Sequence, residues 1–521
     1  MSEDNNTYSN VVVTSGQSLT VMDTIVGLTV QSAGSVTNLG NISSVTDQGE
    51  VQNLSTMQSA VVEEGGLLEN AGGSLNSVTV QSGGNLENTA TITNLTIESK
   101  GHAASYAGNV QDVTVQNGAT YETDGGAVSA LTADTGANVL FMGGSGSSVT
   151  VNSGASIGAV QSANLTDVTM TAGGSLQVSD GAFATDIKIT GGKEGTLVVG
   201  SKGYVSGVNV SGAADNSAQA ATGGEVHDVI VNSGGVADDV TVYHDHLVVN
   251  GGGLASGVTL NDAGITVQSN GVVSAMTVNA QGIYAAYIDG GVSHDAVVNN
   301  AGAIVEYTNG SAYNNTVNSG GEDAVLNGLS EAATISAGGL QLVATKGVTS
   351  GTILDGGQLQ AASGGIASAT TVNAGGLETV GAGGTALNQT VHSQGTVVVD
   401  ASGIIGGQTI LSGGSLSGGI LSAGATVSVL SGGYESGVTI ASGGSADIQS
   451  GGSGSNILIE RSGVENVAQG GVVSNFTIET GRQNNAGSAV SGTITNLGEE
   501  RVMSGGQDSD MIVASHGHEV V

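Results

Sequence analysis

A chain of 521 residues with 90 Gly, no Pro and no Cys carries a formal net charge of −36, with only eight Lys and Arg. Phosphate binding needs a basic footprint, so nucleic acid is excluded as a partner. A disulfide framework is excluded by the absence of Cys, which leaves the redox compartment open, and no apolar run reaches the roughly eighteen residues of a membrane-spanning helix, so no membrane insertion is expected.

In chain order, the opening MSEDNNTYSN is acidic and polar, without the basic and apolar regions of a secretory signal, so three expectations stay open: a removed leader, export by another route, or a protein that stays inside. Residues 1–73 use the vocabulary of the later chain without its strict spacing, and are expected to form irregular coils and an N-terminal cap. Residues 74–224 repeat phrases such as SVTVQSGG, DVTVQNGA and SVTVNSGA, interrupted by KITGGKEGTLVVGSKG and SGAADNSAQAATGG. These predict a β-helix with insertions at its corners. Residues 225–498 tighten into phrases of eleven and eight residues, each closing on Gly or a turn, for a period of nineteen; residues 499–521 are expected to be a C-terminal cap or tail.

Fourteen copies of the eleven-residue phrase align between Ser74 and Arg482, and their seventh position is always aliphatic: Val80, Val231, Val242, Leu260, Val278, Val298, Val317, Ile335, Val372, Val391, Ile410, Ile440, Ile459 and Ile478. The fifth position is usually apolar, as in Val78, Met276 and Phe476, and the sixth is Thr in eleven copies. Two apolar residues flanking one polar residue have the period of a strand, whose side chains alternate faces. Each eleven-residue phrase therefore predicts one strand, aliphatic inside and threonine outside. The eight-residue phrase predicts a second strand with its own buried residue, such as Val380, Val399, Ile448 or Val467.

Such a repeat cannot bury a core alone and must stack on copies of itself. Gly closes each strand because a tight reversal needs positive φ, and Pro is absent because it cannot donate to a ladder. The prediction is an all-β, elongated parallel β-helix, or β-solenoid, of about 19-residue repeats in one domain. At a strand spacing of about 4.8 Å per coil it would be a rod on the order of 130 Å long.

The TxVxxGG core, seen at Thr79 to Gly84, Thr371 to Gly376 and Thr439 to Gly444, resembles the repeat of AIDA-type autotransporter passengers over roughly four fifths of the chain. The resemblance implies a bacterial cell-surface or secreted β-helix used in adhesion, autoaggregation or biofilm. It also implies heptose on repeat hydroxyls, added by a heptosyltransferase. The C-terminal translocator barrel of such proteins has no counterpart in the closing MIVASHGHEVV, so the chain reads as a passenger or a free-standing relative. The candidate glycan acceptors are Thr79, Ser82, Ser233, Thr241, Thr277, Ser319, Thr371, Thr409, Thr439 and Ser442. Threonine also favours exposed strand positions for packing reasons alone. The fourth position reads Ser77, Asp228, Gly257, Ala275, Asn314, Ala369 and Asn456, so the second threonine row that ice binding would need is missing.

No catalytic residue, cofactor or metal is expected. Enzymatic β-helices that cut polysaccharides need clustered carboxylates and bases, whereas acidic residues here are scattered through the sequence and bases are few. GGSGSNILI at Gly451 to Ile459 and GGQDSDMIV at Gly505 to Val513 approach a calcium-binding nonapeptide, but each lacks a key residue and neither is tandem. His244 with His246, and His516 with His518, lack a third ligand nearby in sequence, and the pairs Glu63-Glu64 and Glu499-Glu500 read as solvated charge. The expected partners are further copies of the chain, associating laterally or end to end, and host or bacterial surface receptors. The competing expectation is a self-assembling structural fibre or surface-layer subunit joined through open β-helix ends.

Overall fold

The computed structural model describes residues 6–190, 196–211, 229–279, 285–421 and 424–521; residues 191–195 of the first insertion, including Lys193, and 212–224 of the second lie outside these, as does Asp228. The described residues contain strands and turns and no helix, and every strand pair with a defined register is parallel. Two units divide the chain, Met1–Gly264 and Ile265–Val521. Each is a parallel β-solenoid.

In the first unit a coil consists of one longer and one shorter strand. Ser74–Val80 is followed by Asn85–Asn88, and Thr91–Ile97 by His102–Ser105, with each strand pairing the second strand after it. Val80 stands beside Ile97 and Ile97 beside Val115, so successive coils are 17 and 18 residues apart. That is why this stretch escapes a nineteen-residue template although its coils remain in register. The strands before Ser74 pair in the same way: Val30 stands beside Asp47, and Asp47 beside Val62.

The seventh-position aliphatics form the interior. All fourteen are 0% exposed, and the fifth-position Val78, Met276 and Phe476 are buried with them. Burying one such side chain stabilises by about 1.5–3 kcal/mol, and here the gain repeats with every coil. Phe141 fits among them because Gly146 lies beside it; a Cβ there would stand 3.0 Å from the Phe141 ring and 2.7 Å from Leu165.

The expectation of a single strand per eleven-residue phrase holds in the first unit, as in Ser74–Val80 and Asn109–Val115, and is corrected at the fourth position in the second. Asp112, Ala130, Ser148 and Asp167 take φ of 50 to 55° in the first unit, and Ala275, Asn314, Ala369 and Asn456 take 50 to 58° in the second. One left-handed residue bends the chain there. In the second unit the bend splits the phrase, so that Ile366–Ser368 and Thr371–Val372 flank Ala369, and each coil has three short strands.

The fourteen copies are not structurally equivalent, contrary to the single alignment. Val231 pairs with Val199 and Val249 on the short-strand face, whereas Val242 pairs with Val210 and Leu260. Two adjacent phrases therefore occupy different faces of the solenoid. In the second unit the long strand Thr396–Gly406 carries a register shift between Val399 and Ile404. Beyond it Ile410 stacks on Val429 and Ile448, the eight-residue set, while Ile440 pairs with Leu421. The slip exchanges the faces on which the two phrases lie.

Candidate functional surface and polar interior

The outward rows follow from the inward ones, because side chains alternate across a strand. Thr79 begins an uninterrupted row in the first unit, in register with Thr96, Thr114, Thr132, Thr150 and Thr169. Thr241 is paired with Thr259. In the second unit Thr371, Thr390 and Thr409 form a row, but Thr277 faces Val297, and Thr439 stands beside Ile420 beyond the register slip and beside Leu458, the sixth-position residue of the next copy. These threonines are half-buried rather than fully outward, since neighbouring coils about 4.8 Å away flank each side chain.

The serine candidates lie elsewhere. Ser82, Ser233, Ser319 and Ser442 are exposed at turns, one residue before a glycine with positive φ. The sequence reading did not single out the most regular set. Ser393, Ser412, Ser431 and Ser450 are exposed at one corner on four consecutive coils, 19 residues apart. The corner is tied by bonds from the Gly413 amide to the Gly432 carbonyl at 2.7 Å, Gly432 to Gly451 at 2.7 Å, and Gly451 to Gly470 at 2.8 Å. Each Ser hydroxyl leans over the next coil's glycine, as Ser412 does over Gly432 and Ser431 over Gly451. The signal was the exact nineteen-residue spacing of serines that precede Gly or Gln.

A polar interior was not anticipated. Asn38, Asn53, Asn70 and Asn88 end four successive short strands and are buried in one column. The side-chain amide of Asn38 donates to Asn53 at 2.7 Å, Asn53 to Asn70 at 2.9 Å, Asn70 to Asn88 at 2.7 Å, and Asn88 to Ser105 Oγ at 2.9 Å. One ladder thus satisfies both amide functions of the residues within it, which a lone buried Asn cannot do. The strands SVTN, EVQN, LLEN and NLEN, each closing on Asn, carried the signal.

Buried carboxyls are the larger surprise. Asp47, Glu306, Asp323, Glu378, Glu435, Glu465 and Glu500 are all 0% exposed. Glu500 corrects the reading of Glu499-Glu500 as solvated charge: alternation turns it into the interior, while Glu499 meets Arg501 Nε at 2.8 Å on the surface. Burial pushes Asp47 and Glu465 up to about 7, and Glu378 and Glu500 up to about 8. Glu306 and Glu435 are driven well above the ordinary range, first by desolvation and then by a second carboxyl, Asp323 and Glu465 respectively. The fold thus brings Glu306 to Asp323 and Glu435 to Glu465 inside the coil, although these acids are scattered in sequence.

His244 lies at a left-handed bend with φ 56°, and His246 opens the strand His246–Val249. His518 stands beside Glu499 in the last paired strand.

No family model matches the sequence, and no curated protein matches it. Among solved structures, the chain is similar to the crystal structure of a TibC-catalyzed hyper-glycosylated fragment of TibA covering that protein's residues 55–350. Identity is 25% over 68% of this chain and 96% of that one, with a TM-score of 0.23, a score too low for the likeness to carry any argument about function.

Proposed function

We propose that the chain is a non-enzymatic bacterial surface or secreted solenoid that works in adhesion, autoaggregation or biofilm through outward rows repeated coil after coil. The observation that carries this reading is the regularity of those rows, above all Thr79 to Thr169 and the corner of Ser393, Ser412, Ser431 and Ser450. Identical groups about 4.8 Å apart turn a weak contact into a multivalent one. An acidic surface keeps such a chain soluble outside the cell, and the TxVxxGG phrases resemble repeats of passengers with this use. A heptosyltransferase is a partner in this reading, with the exposed corner serines as its first acceptors and the half-buried threonines as poorer ones.

The test compares bacteria displaying the chain with bacteria displaying a variant in which Ser393, Ser412, Ser431 and Ser450 are all Ala, with the intact mass of each measured from the native host. The reading expects heptose-sized increments on the parent, fewer on the variant, and faster settling of cells bearing the parent than of cells bearing none. Cells that settle equally with and without the chain would overturn the adhesive role. A bare polypeptide mass would remove the glycan from it.

A further inference from the structure

The second unit encloses a polar spine that the adhesive reading does not use. Glu306, Asp323, Ser330, Gln341, Thr349 and Thr352 are each 0% exposed on successive coils. Asp323 Oδ2 accepts from Ser330 Oγ at 3.0 Å and from Gln341 Nε2 at 2.8 Å. Gln341 Oε1 in turn accepts from Thr352 at 2.9 Å and from Thr349 at 3.2 Å. A second run begins at Glu378, whose Oε1 accepts from Gln389 Nε2 at 3.3 Å; Gln389 then accepts from Gln408.

Several acceptors in these chains lack a donor, Gln408 Oε1 among them. Neither oxygen of Glu306, nor Asp323 Oδ1, nor Glu378 Oε2 meets a donor from another residue. Glu306 and Asp323 are close enough to act on each other, and two ionised carboxylates cannot hydrogen-bond. A proton retained between them supplies the missing donor. No cation compensates: between Glu306 and Gln408 the sequence holds one Lys, Lys346, and one His, His392, both exposed at turns. The other titratable groups on strands packed against the pair are Tyr287, Asp289, Tyr307 and Glu322 alongside and His294, Tyr313 and Glu331 across. Alternation turns all of these outward. Around Glu378, the described side chains of Gln358–Ala361, Thr396–Gly406, Ile366–Ser368 and Thr385–Leu387 include no titratable group. A charge buried among them without a partner is strongly unfavourable.

We propose that the coils from Glu306 to Gln408 form a pH-responsive segment, closed while the Glu306–Asp323 pair and Glu378 each keep a proton and locally opened when mild alkali removes it. The direction follows from linkage. Burial holds Glu378 at about 8 in the folded chain, against an ordinary value of 4.5. The folded state therefore binds the extra proton, and its stabilisation is complete below about 4.5 and lost as pH rises through about 8.

Hydrogen–deuterium exchange on the full chain between pH 5 and 9, corrected for intrinsic exchange chemistry, tests this. Peptides covering 366–410 are expected to lose at least about tenfold in protection between pH 6 and 9, since each pH unit inside the window is worth up to tenfold. Peptides covering 74–115, whose interior column contains no acid, should not change. Glu378→Gln should hold protection at 366–410 to within about twofold over the same range. A flat wild-type profile at 366–410, or an equal loss at 74–115, overturns the proposal even if the variant does not fold. So does a Glu378→Gln variant that folds and loses protection as the wild type does.

Discussion

At the scale of single residues, the structure turns on side chains whose type looks ordinary in the sequence and whose position is not. Asn70 illustrates this: it both accepts from Asn53 and donates to Asn88 in a buried column. Asn70→Ala removes the acceptor of the Asn53 amide and one of the two donors to Asn88 Oδ1, the Ala90 amide remaining, and the unsatisfied Asn53 group costs about 1–3 kcal/mol. Chemical unfolding of the first unit should register a loss of that order, whereas Asn76→Ala, on an exposed side chain, should change stability by less than about 0.5 kcal/mol. The aliphatic positions were legible because Val, Ile and Leu recur at one place in every phrase. Glu306, Glu378 and Glu500 were not legible, because an acidic residue reads as solvated until the alternation of its strand is fixed. At Glu500 the parity of its neighbours decides the matter.

At the scale of the coil, the paired glycines of QSGG and NSGG do two different jobs. Gly83 takes φ of 78°, and the nearest atom to a Cβ there would be Glu64 Cγ at 3.0 Å, on a flexible side chain, while a Cβ on Gly84 would stand 2.5 Å from the carbonyl oxygen of Val62 on the preceding coil. Gly83→Ala therefore costs about 1–2 kcal/mol for the left-handed backbone. Gly84→Ala costs more, since a backbone carbonyl cannot move aside without breaking its ladder. Thermal unfolding of the two variants should rank them in that order, and equal midpoints would contradict the stacking at this corner. The sequence revealed that glycine closes each strand. It did not reveal the left-handed bend at position four, because Ser, Gly, Ala and Asn at that site share little except tolerance of a tight backbone. The register slip at Val399 to Ile404 was also hidden, since both phrases bury a β-branched residue and either can occupy either face.

At the scale of the whole molecule, a formal charge of −36 overstates what the folded chain carries near neutrality, because some of its carboxyls are buried and hold their protons. For Glu378 and Glu500, raised to about 8, the folded state binds more protons than the unfolded one across the window from 4.5 upward, so stability declines as pH rises from 5 to 8. Surface repulsion acts in the same direction but is screened at about 1 M salt, where the Debye length is about 3 Å. A lower calorimetric midpoint at pH 8 than at pH 5 should therefore persist in 1 M salt. Its disappearance there would assign the whole effect to the surface. Fold class was readable from the period alone, because stacking is the one way such a repeat can bury its stripe.

The register of the coils, including the slip that changes it, can be measured directly by paired substitution and oxidation, because the chain contains no cysteine. Thr409 stands in register between Thr390 and Ser428, while Thr439 lies on another face beside Ile420. Adjacent parallel strands, about 4.8 Å apart, are within the Cα separation a disulfide spans. The pairs Thr390→Cys with Thr409→Cys, and Thr409→Cys with Ser428→Cys, should form intramolecular disulfides under mild oxidation, and Thr409→Cys with Thr439→Cys should not. Cross-linking of Thr409→Cys to Thr439→Cys in place of Ser428→Cys would contradict the stacking on which every other conclusion depends.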